Sequence, residues 1–265
     1  MPNSPPLEDR VNEAATEALA NAMYRYTFGI IADGRGHAEG KGLGTGIGIV
    51  WKGTYLILTA AHTMETTPCE RLYMLLPNES VKFQGSTITA QSTPFSMRRR
   101  LTLENPKSLL ADDEEDIAAF ILPNQEHECG QSHFYHLDEL HFTQEMVAQQ
   151  IGFLGYPGAT ALSVGANFMA TPYVSFGAMM ATAIEVNPDS QMAISYPTNR
   201  SVDAHGLSGC GLWMTKGCST GQLWAPEISL TGLVTHWVPQ RQALIGYKVE
   251  ELVRFLKTKD QWMAS

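Results

Sequence analysis

Apolar segments of strand length recur through most of the chain, whereas helical spacing of apolar residues is confined to its two ends. Short runs rich in branched and aromatic side chains, bounded by glycine, proline and polar residues, are typical of β-strands. We predict strands at 28–31, 47–51, 55–59, 71–75, 80–83, 86–90, 117–122, 150–154, 172–176, 180–186, 192–196, 210–214, 229–235 and 243–248. Residues 103–115 and 124–142 carry no such pattern, and we expect loops there. The whole pattern predicts an all-β barrel or sandwich.

Both ends of the chain predict helices. Residues 7–26 place apolar side chains three and four positions apart, directly after Pro5 and Pro6, as in an amphipathic helix. We expect this N-terminal extension, residues 1–26, to pack on the main body, and a docking surface for a partner is the alternative. Residues 248–260 intersperse apolar side chains among charges and predict a closing helix.

Charge and composition exclude several classes of function. The net charge of -9 argues against a general nucleic-acid binder, and we expect the three arginines at 98–100 to lie on a solvated loop or strand edge. The sequence contains no run of 18 apolar residues, so we expect no membrane-spanning helix. The N-terminus lacks the pattern of a secretory signal. The cysteines follow no metal or redox spacing, and we expect reduced thiols and a cytoplasmic location. They are Cys69, Cys129, Cys210 and Cys218.

Three distant residues together suggest nucleophilic catalysis. His62 closes the apolar run that begins at 55, Asp116 immediately precedes the strand at 117–122, and Ser208 lies in a glycine-rich hexapeptide. The first two are 54 positions apart (116 − 62) and the last two 92 apart (208 − 116). A serine hydroxyl is a poor nucleophile unless a base accepts its proton, and that base needs a third group to hold its tautomer. The three residues therefore predict a catalytic triad.

Each of these residues has an ordinary alternative interpretation, which for His62 is a partly exposed loop histidine. An acidic run is usually a solvated loop, but Asp116 is its last member and can turn inward at the strand, with Asp113 as the fallback. Ser208 stands between Gly206 and Gly209, which allow a sharp turn, and a plain turn is the alternative. We expect the N–H groups of Gly206 and Ser208 to form an oxyanion hole.

A second set of polar residues invites a metal hypothesis. Two of its histidines are three positions apart, but no cysteine pair and no helical pattern accompany them. The set comprises His127, Cys129, His133, His136 and His141. We expect an ordinary connection between two barrels here, with no metal, and we expect no cofactor elsewhere.

The chain resembles the chymotrypsin/trypsin-like serine proteases over about residues 28–258, and it is closer to the bacterial branch of high-temperature-requirement and glutamyl-endopeptidase-like enzymes. The matching segments are GTGIG at 44–48, LTAAH at 58–62, DIA at 116–118, GYP at 155–157, GLSG at 206–209 and LTGLVT at 230–235. The resemblance implies two antiparallel six-stranded β-barrels, at about 27–130 and 140–247, within one peptidase domain at 27–265. It also implies that the triad lies in the cleft between the barrels and acts on a protein or peptide substrate.

The chain departs from the family at three positions. Leu207 stands where activated zymogens carry an aspartate that binds a newly cut N-terminus, so activation by cleavage is not expected. Cys210 replaces the usual second glycine after the serine, and Thr63 stands where a cysteine near the histidine forms a disulfide. Nothing obvious in the sequence orders the oxyanion loop. A further alternative is therefore an enzyme that is latent until a protein partner binds.

The resemblance also implies a specificity pocket. Its base would begin at Val202, and its walls would come from Thr235, His236, Trp237 and Ile245. We expect a shallow apolar pocket for small or aliphatic side chains, because no buried charge is present. His205 provides the alternative, in which an acidic substrate side chain is bound.

Two functions remain after these considerations. The first is a serine endopeptidase that uses Ser208, His62 and Asp116. The second is an inactive protease-like fold that serves as a binding or effector module.

Overall fold

The computed structural model describes most of the two predicted barrels and both predicted helices. The described residues are 7–33, 41–65, 71–77, 81–84, 87–90, 100–104, 109–112, 114–122, 131–139, 150–158, 161–164, 167–170, 172–180, 186–197, 203–215 and 227–263.

Within these ranges the chain is mostly β-strand, with helices that include one near each end. The helices are α1 (Leu7–Tyr24), α2 (His62–Glu65) and α3 (Val249–Met263). The strands before residue 130 are β1 (Thr27–Asp33), β2 (Lys41–Trp51), β3 (Thr54–Ala60), β4 (Arg71–Leu75), β5 (Val81–Gln84), β6 (Thr87–Ala90), β7 (Arg100–Glu104), β8 (Leu109–Asp112) and β9 (Ile117–Ile121). Those after it are β10 (Tyr135–His136), β11 (Gln150–Gly155), β12 (Ala161–Val164), β13 (Asn167–Ala170), β14 (Tyr173–Ala178), β15 (Gln191–Ser195), β16 (Gly211–Thr215), β17 (Ile228–Val238) and β18 (Ala243–Lys248).

The strands form two large sheets. The first has the order β7-β4-β1-β2-β3-β9-β8, with β10 added in parallel on β2. The second has the order β14-β11-β16-β17-β18-β15. The strand pairs β5-β6 and β12-β13 form separate two-stranded ladders. The predicted all-β architecture with terminal helices is confirmed, and among the described strands the first sheet has eight members rather than the expected six.

The expectation of loops at 103–115 and 124–142 is wrong in part. The first segment contains β8 and the end of β7, and the second contains β10 and a single 3₁₀ turn at Gln131–His133. Strands β7 and β8 lie at the two edges of the first sheet, and β10 has only two residues. A strand so short, or paired along one side only, carries too little apolar alternation to be recognised from sequence.

The predicted strands at 47–51 and 55–59 are confirmed, and they form a β-hairpin. Trp51 pairs with Thr54 across a two-residue loop, and both loop residues have positive φ, 48° at Lys52 and 84° at Gly53. Positive φ at both positions defines a type I′ turn, whose twist matches that of the strands it joins.

Three hydrophobic clusters form the interior. One lies within the first sheet around Phe28 and Phe120, and another lies within the second sheet around Phe153 and Leu244. The largest joins both sheets to α1 and α3, and its fully buried members include Met23, Leu58, Leu233 and Phe255. Burial of this shared cluster holds the two sheets against each other.

Both terminal helices pack on the sheets. In α1 the residues Ala20, Met23 and Tyr24 are buried against the body. In α3 the carboxylate of Asp260 accepts a hydrogen bond from Trp51 Nε1 at 2.6 Å and lies 2.5 Å from the Lys52 ammonium group. No helix in the described ranges is both long and apolar enough to cross a membrane.

Candidate active site

His62 lies where strand β3 gives way to the short helix α2. The preceding Ala61 donates its N–H to the carbonyl oxygen of Asp116 at 3.1 Å, and the Thr63 hydroxyl donates to Ala60 O at 2.6 Å. These bonds hold the chain on either side of His62 against the first sheet. The His62 side chain is 43% exposed, so its ring can be reached from solvent.

Asp116 turns its carboxylate inward at the start of β9. Its φ is 49°, a left-handed conformation that aspartate adopts more readily than most residues. Oδ1 accepts the backbone N–H of His62 at 2.8 Å, and Oδ2 lies 2.8 Å from His62 Nδ1. Because an ionised carboxylate only accepts hydrogen bonds, Nδ1 carries the hydrogen and Nε2 is left as an acceptor.

Ser208 completes the series from the second sheet. Its Oγ lies 3.1 Å from His62 Nε2 and 3.5 Å from the carbonyl oxygen of Thr235. The shorter distance joins the hydroxyl donor to the imidazole nitrogen that can accept its proton. The structure therefore places His62 within hydrogen-bond reach of both Asp116 and Ser208, although His62 and Ser208 are 146 positions apart in the sequence.

Two consecutive turns shape the serine loop, which we define as residues 203–210. Leu207 N donates to Ala204 O at 2.9 Å, and Cys210 N donates to Leu207 O at 3.0 Å. The third residue of each turn is a glycine with positive φ, 93° at Gly206 and 87° at Gly209. This combination is a type II turn, and it requires glycine at that position. Ser208 occupies the second position of the second turn.

The peptide groups of this loop are held in a way that leaves two N–H groups unused. The carbonyl oxygen of His205 accepts from Gly158 N at 2.6 Å, and that of Leu207 accepts from Cys210 N at 3.0 Å. In a trans peptide the N–H points opposite to its carbonyl, so both contacts also orient the N–H groups of Gly206 and Ser208. Among the described residues neither N–H donates a hydrogen bond. Unpaired backbone donors beside a nucleophile can bind an oxyanion.

His236 lies against the triad. Its Nδ1 is 2.9 Å from Thr235 Oγ1 and 3.9 Å from Asp116 Oδ2, and its ring centre is 5.9 Å from that of His62. Sequence analysis assigns His236 to the pocket wall, and the structure places it beside the aspartate as well. The β-bulge between Val234 and His236 in strand β17 produces this position.

Three other predicted pocket residues lie on the serine loop (His205), on β17 (Trp237) and on β18 (Ile245). The exposed ring of His205 meets the half-buried indole of Trp237 edge to face, with centroids 5.4 Å apart at 87°. Ile245 pairs with His236 across strands β17 and β18. Trp237 Nε1 is buried and has no hydrogen-bond partner in the described part of the chain. Val202 lies outside the described residues, as does Asp113.

The residues for which a metal site was the alternative are only partly within the described ranges. His133 is buried with Nδ1 3.2 Å from the carbonyl oxygen of Arg25, and His136 is exposed. His127, Cys129 and His141 lie outside the described residues, as do Cys69, Cys218 and two of the three arginines at 98–100. No three potential ligands in the described chain lie close enough to hold a metal ion. Cys210 is a free thiol whose pKa burial raises, so it stays protonated at neutral pH.

Comparisons with known proteins bear on the fold. No family model matches the chain, and no curated protein sequence matches it. Among solved structures, human heparin binding protein is 12% identical with a TM-score of 0.53, over 89% of this chain and 92% of that one. The chain has the trypsin-like two-barrel fold. Two further similar structures have TM-scores just below 0.5: the Rv3671c protease from M. tuberculosis (17% identical, TM-score 0.49, 97% of this chain and 88% of that one) and tobacco etch virus protease (12% identical, TM-score 0.48, 91% and 80%).

One residue at the site is absent from the sequence predictions. Thr45 on β2 is fully buried, and its hydroxyl donates to Gly206 O at 2.7 Å. In the sequence it stands between two glycines within the GTGIG segment at 44–48, but nothing there marks it as a site residue.

Proposed function

We propose that the protein is a serine endopeptidase. The observation that carries the proposal is the continuous series of contacts from Asp116 through His62 to Ser208, at 2.8 and 3.1 Å. In this mechanism Ser208 Oγ attacks the carbonyl carbon of the scissile bond while His62 Nε2 accepts the hydroxyl proton. The Asp116 carboxylate stabilises the resulting imidazolium ion.

The two unused N–H groups of the serine loop then bind the oxyanion of the tetrahedral intermediate. Each such donor contributes about 3–4 kcal/mol to stabilisation of the transition state. The intermediate collapses when His62 returns its proton to the leaving amine, and an acyl-enzyme remains on Ser208. A water molecule, activated by the same imidazole, hydrolyses the acyl-enzyme and regenerates the hydroxyl.

The substrate backbone binds along strand β17. Residues 228–233 of this strand pair with β16, whereas His236, Trp237 and Val238 pair with β18 alone within the described chain. The opposite edge at 235–238 passes beside Ser208, because Thr235 O is 3.5 Å from its hydroxyl. An extended peptide adds to such an edge through main-chain hydrogen bonds. Selection of an extended peptide is what distinguishes an endopeptidase from an esterase that accepts small molecules.

The pocket beside this edge accepts small or aliphatic side chains in our proposal. The contact between His205 and Trp237 supports it, since two rings packed edge to face leave little room for a bulky substrate side chain. Binding of an acidic side chain by His205 is the alternative, supported by the 80% exposure of its side chain. Membership of the bacterial branch and a cytoplasmic location stay predictions, and an enzyme that is latent until a protein partner binds stays the alternative.

Mapped cleavage of an unstructured protein tests the proposal. We expect the purified wild type to produce new termini, identified by mass spectrometry, that follow small or aliphatic residues. The Ser208→Ala variant should keep the circular dichroism spectrum of the wild type and produce none. Cleavage after aspartate and glutamate would instead support the alternative pocket, in which His205 binds an acidic substrate side chain. If the substrate is not cleaved, the proposed endopeptidase function is contradicted, and the inactive binding or effector module is the function that is left.

A further inference from the structure

Thr45 lies at the junction of the two sheets and uses every polar group that it has. Its hydroxyl donates to Gly206 O at 2.7 Å and accepts from Tyr156 N at 2.8 Å. Its backbone N–H donates to Ser208 O at 3.0 Å. Its carbonyl oxygen accepts from the Thr59 hydroxyl at 2.7 Å. The residue is fully buried, so no water competes for these hydrogen bonds.

These contacts connect the base to the nucleophile. Thr59 stands three residues before His62 on β3, and the two bonds into the serine loop flank Leu207 on both sides. The Thr45 hydroxyl holds the peptide group between Gly206 and Leu207, and the Thr45 N–H holds the one between Ser208 and Gly209. The intervening peptide, which carries the Ser208 N–H, is therefore fixed at both of its ends.

A glycine next to Thr45 makes this approach possible. A Cβ on Gly44 would lie 2.9 Å from Thr63 Cγ2 and 3.1 Å from Ser208 O, closer than ordinary contacts. Strand β2 can therefore lie directly beside the serine loop only because residue 44 has no side chain. This explains why a glycine directly precedes Thr45 in strand β2.

We infer that Thr45 is a positioning residue that holds the oxyanion-binding conformation of the serine loop from within the first sheet. Leu207 provides no charge to anchor the loop, and the hydroxyl and N–H of Thr45 perform that task. The loop is thus ordered as soon as the two sheets pack, and activity requires no partner to arrange it. The inference rests on the proposed protease function.

Steady-state kinetics of three variants at position 45 test the inference. Valine keeps the shape of threonine but lacks the hydroxyl, so Thr45→Val should lower kcat about 100-fold, the size of effect seen when one oxyanion donor is lost. KM should stay within about 2-fold, because the substrate-binding strand is untouched. Thr45→Ser keeps the hydroxyl and should restore kcat to within about 3-fold of the wild type. Thr45→Cys, a weak donor of similar size, should fall between them.

Thr27→Val is the matched control. Thr27 is fully buried, and its hydroxyl donates to a backbone carbonyl in helix α1, Met23 O, at 2.9 Å. This variant loses an equivalent hydrogen bond and should keep the kcat of the wild type. If Thr45→Val does not fold, the comparison of Thr45→Cys with Thr45→Ser tests the inference. We then expect kcat of Thr45→Cys to be at least about 10-fold below that of Thr45→Ser.

The outcomes separate this inference from the function on which it rests. A wild type that turns over no substrate removes the proposed protease and says nothing of how the loop is held. An active wild type whose Thr45→Val or Thr45→Cys variant keeps full kcat overturns the inference alone. A loss of kcat in Thr27→Val equal to that in Thr45→Val also overturns it, because the effect would then be one of general stability.

Discussion

Asp116 acts on His62 through both of its carboxylate oxygens, one on the backbone N–H and the other on ring Nδ1. This arrangement fixes the position of the residue and the tautomer of its ring at the same time. The neighbouring Glu115 is engaged differently, with Oε1 2.5 Å from the Arg254 guanidinium group of α3. Two adjacent acidic residues thus have separate tasks, one at the site and one at the helix.

This difference predicts unequal effects of removing either negative charge. Asp116→Asn places an amide where the ring needs an acceptor, favours the wrong tautomer, and should lower kcat by about 10⁴-fold, as in other triads of this type. Glu115→Gln removes the same charge one residue away and should leave kcat within about 2-fold of the wild type. Peptide hydrolysis under saturating substrate measures both. Equal losses in the two variants would contradict the role of Asp116.

At the scale of single residues, the sequence predicts His62, Asp116 and Ser208 but not the residues that surround them. Asp116 could be chosen from an acidic run because it alone directly precedes a strand. The proximity of His236 to Asp116 could not be predicted, because it depends on a bulge in β17 that no sequence pattern marks. Thr45 was missed for a similar reason, since its four contacts join segments that are distant in the chain.

At the scale of elements, two tight turns require glycine for different physical reasons. Gly53 has φ 84° and open space around the position of an added Cβ. Gly209 has φ 87°, and its Cβ would collide with Thr45 O and the Thr59 hydroxyl. The first turn therefore needs only the backbone freedom of glycine, whereas the second also needs the space.

Alanine substitutions should separate these two costs. Gly53→Ala should lower the free energy of unfolding by about 1–2 kcal/mol, the cost of a left-handed conformation for a residue with a Cβ. Gly209→Ala should cost about 1–3 kcal/mol more, because the serine loop must move away from β2. Urea unfolding measures both values. Gly53→Ala should also keep full activity and Gly209→Ala should lose it; equal stability of the two variants would refute the close packing.

Element prediction succeeded where apolar character was continuous and failed at sheet edges. The strands that flank the triad, β3, β9 and β17, are buried along most of their length and were recognised as apolar runs. The hairpin of β12 and β13 was missed, and so was the two-residue strand β10. Residues 181–185 of a further predicted strand lie outside the described ranges.

At the scale of the whole molecule, the site exists only because two sheets meet. The first sheet supplies His62 and Asp116, and the second supplies Ser208. Helix α3 braces the first sheet through contacts that include Arg254 with Glu115 and Asp260 with Trp51 and Lys52. The largest hydrophobic cluster, shared by both sheets and both terminal helices, supplies the main stabilisation of this arrangement.

The overall architecture was within reach of the sequence, because strand-length segments and two terminal helical patterns leave few alternatives. The number of strands in the first sheet was not, since edge strands form wherever a neighbouring backbone offers hydrogen bonds and need little apolar character.

Labelling with a fluorophosphonate probe tests the central claim most directly, because the probe reacts only with a serine that a neighbouring base has activated. The wild type, without any partner, should form a single adduct that mass spectrometry maps to Ser208. Ser208→Ala should not label, and His62→Ala should label at least about 100-fold more slowly through loss of the general base. Failure of the folded wild type to label, or equal labelling of wild type and His62→Ala, would contradict the account.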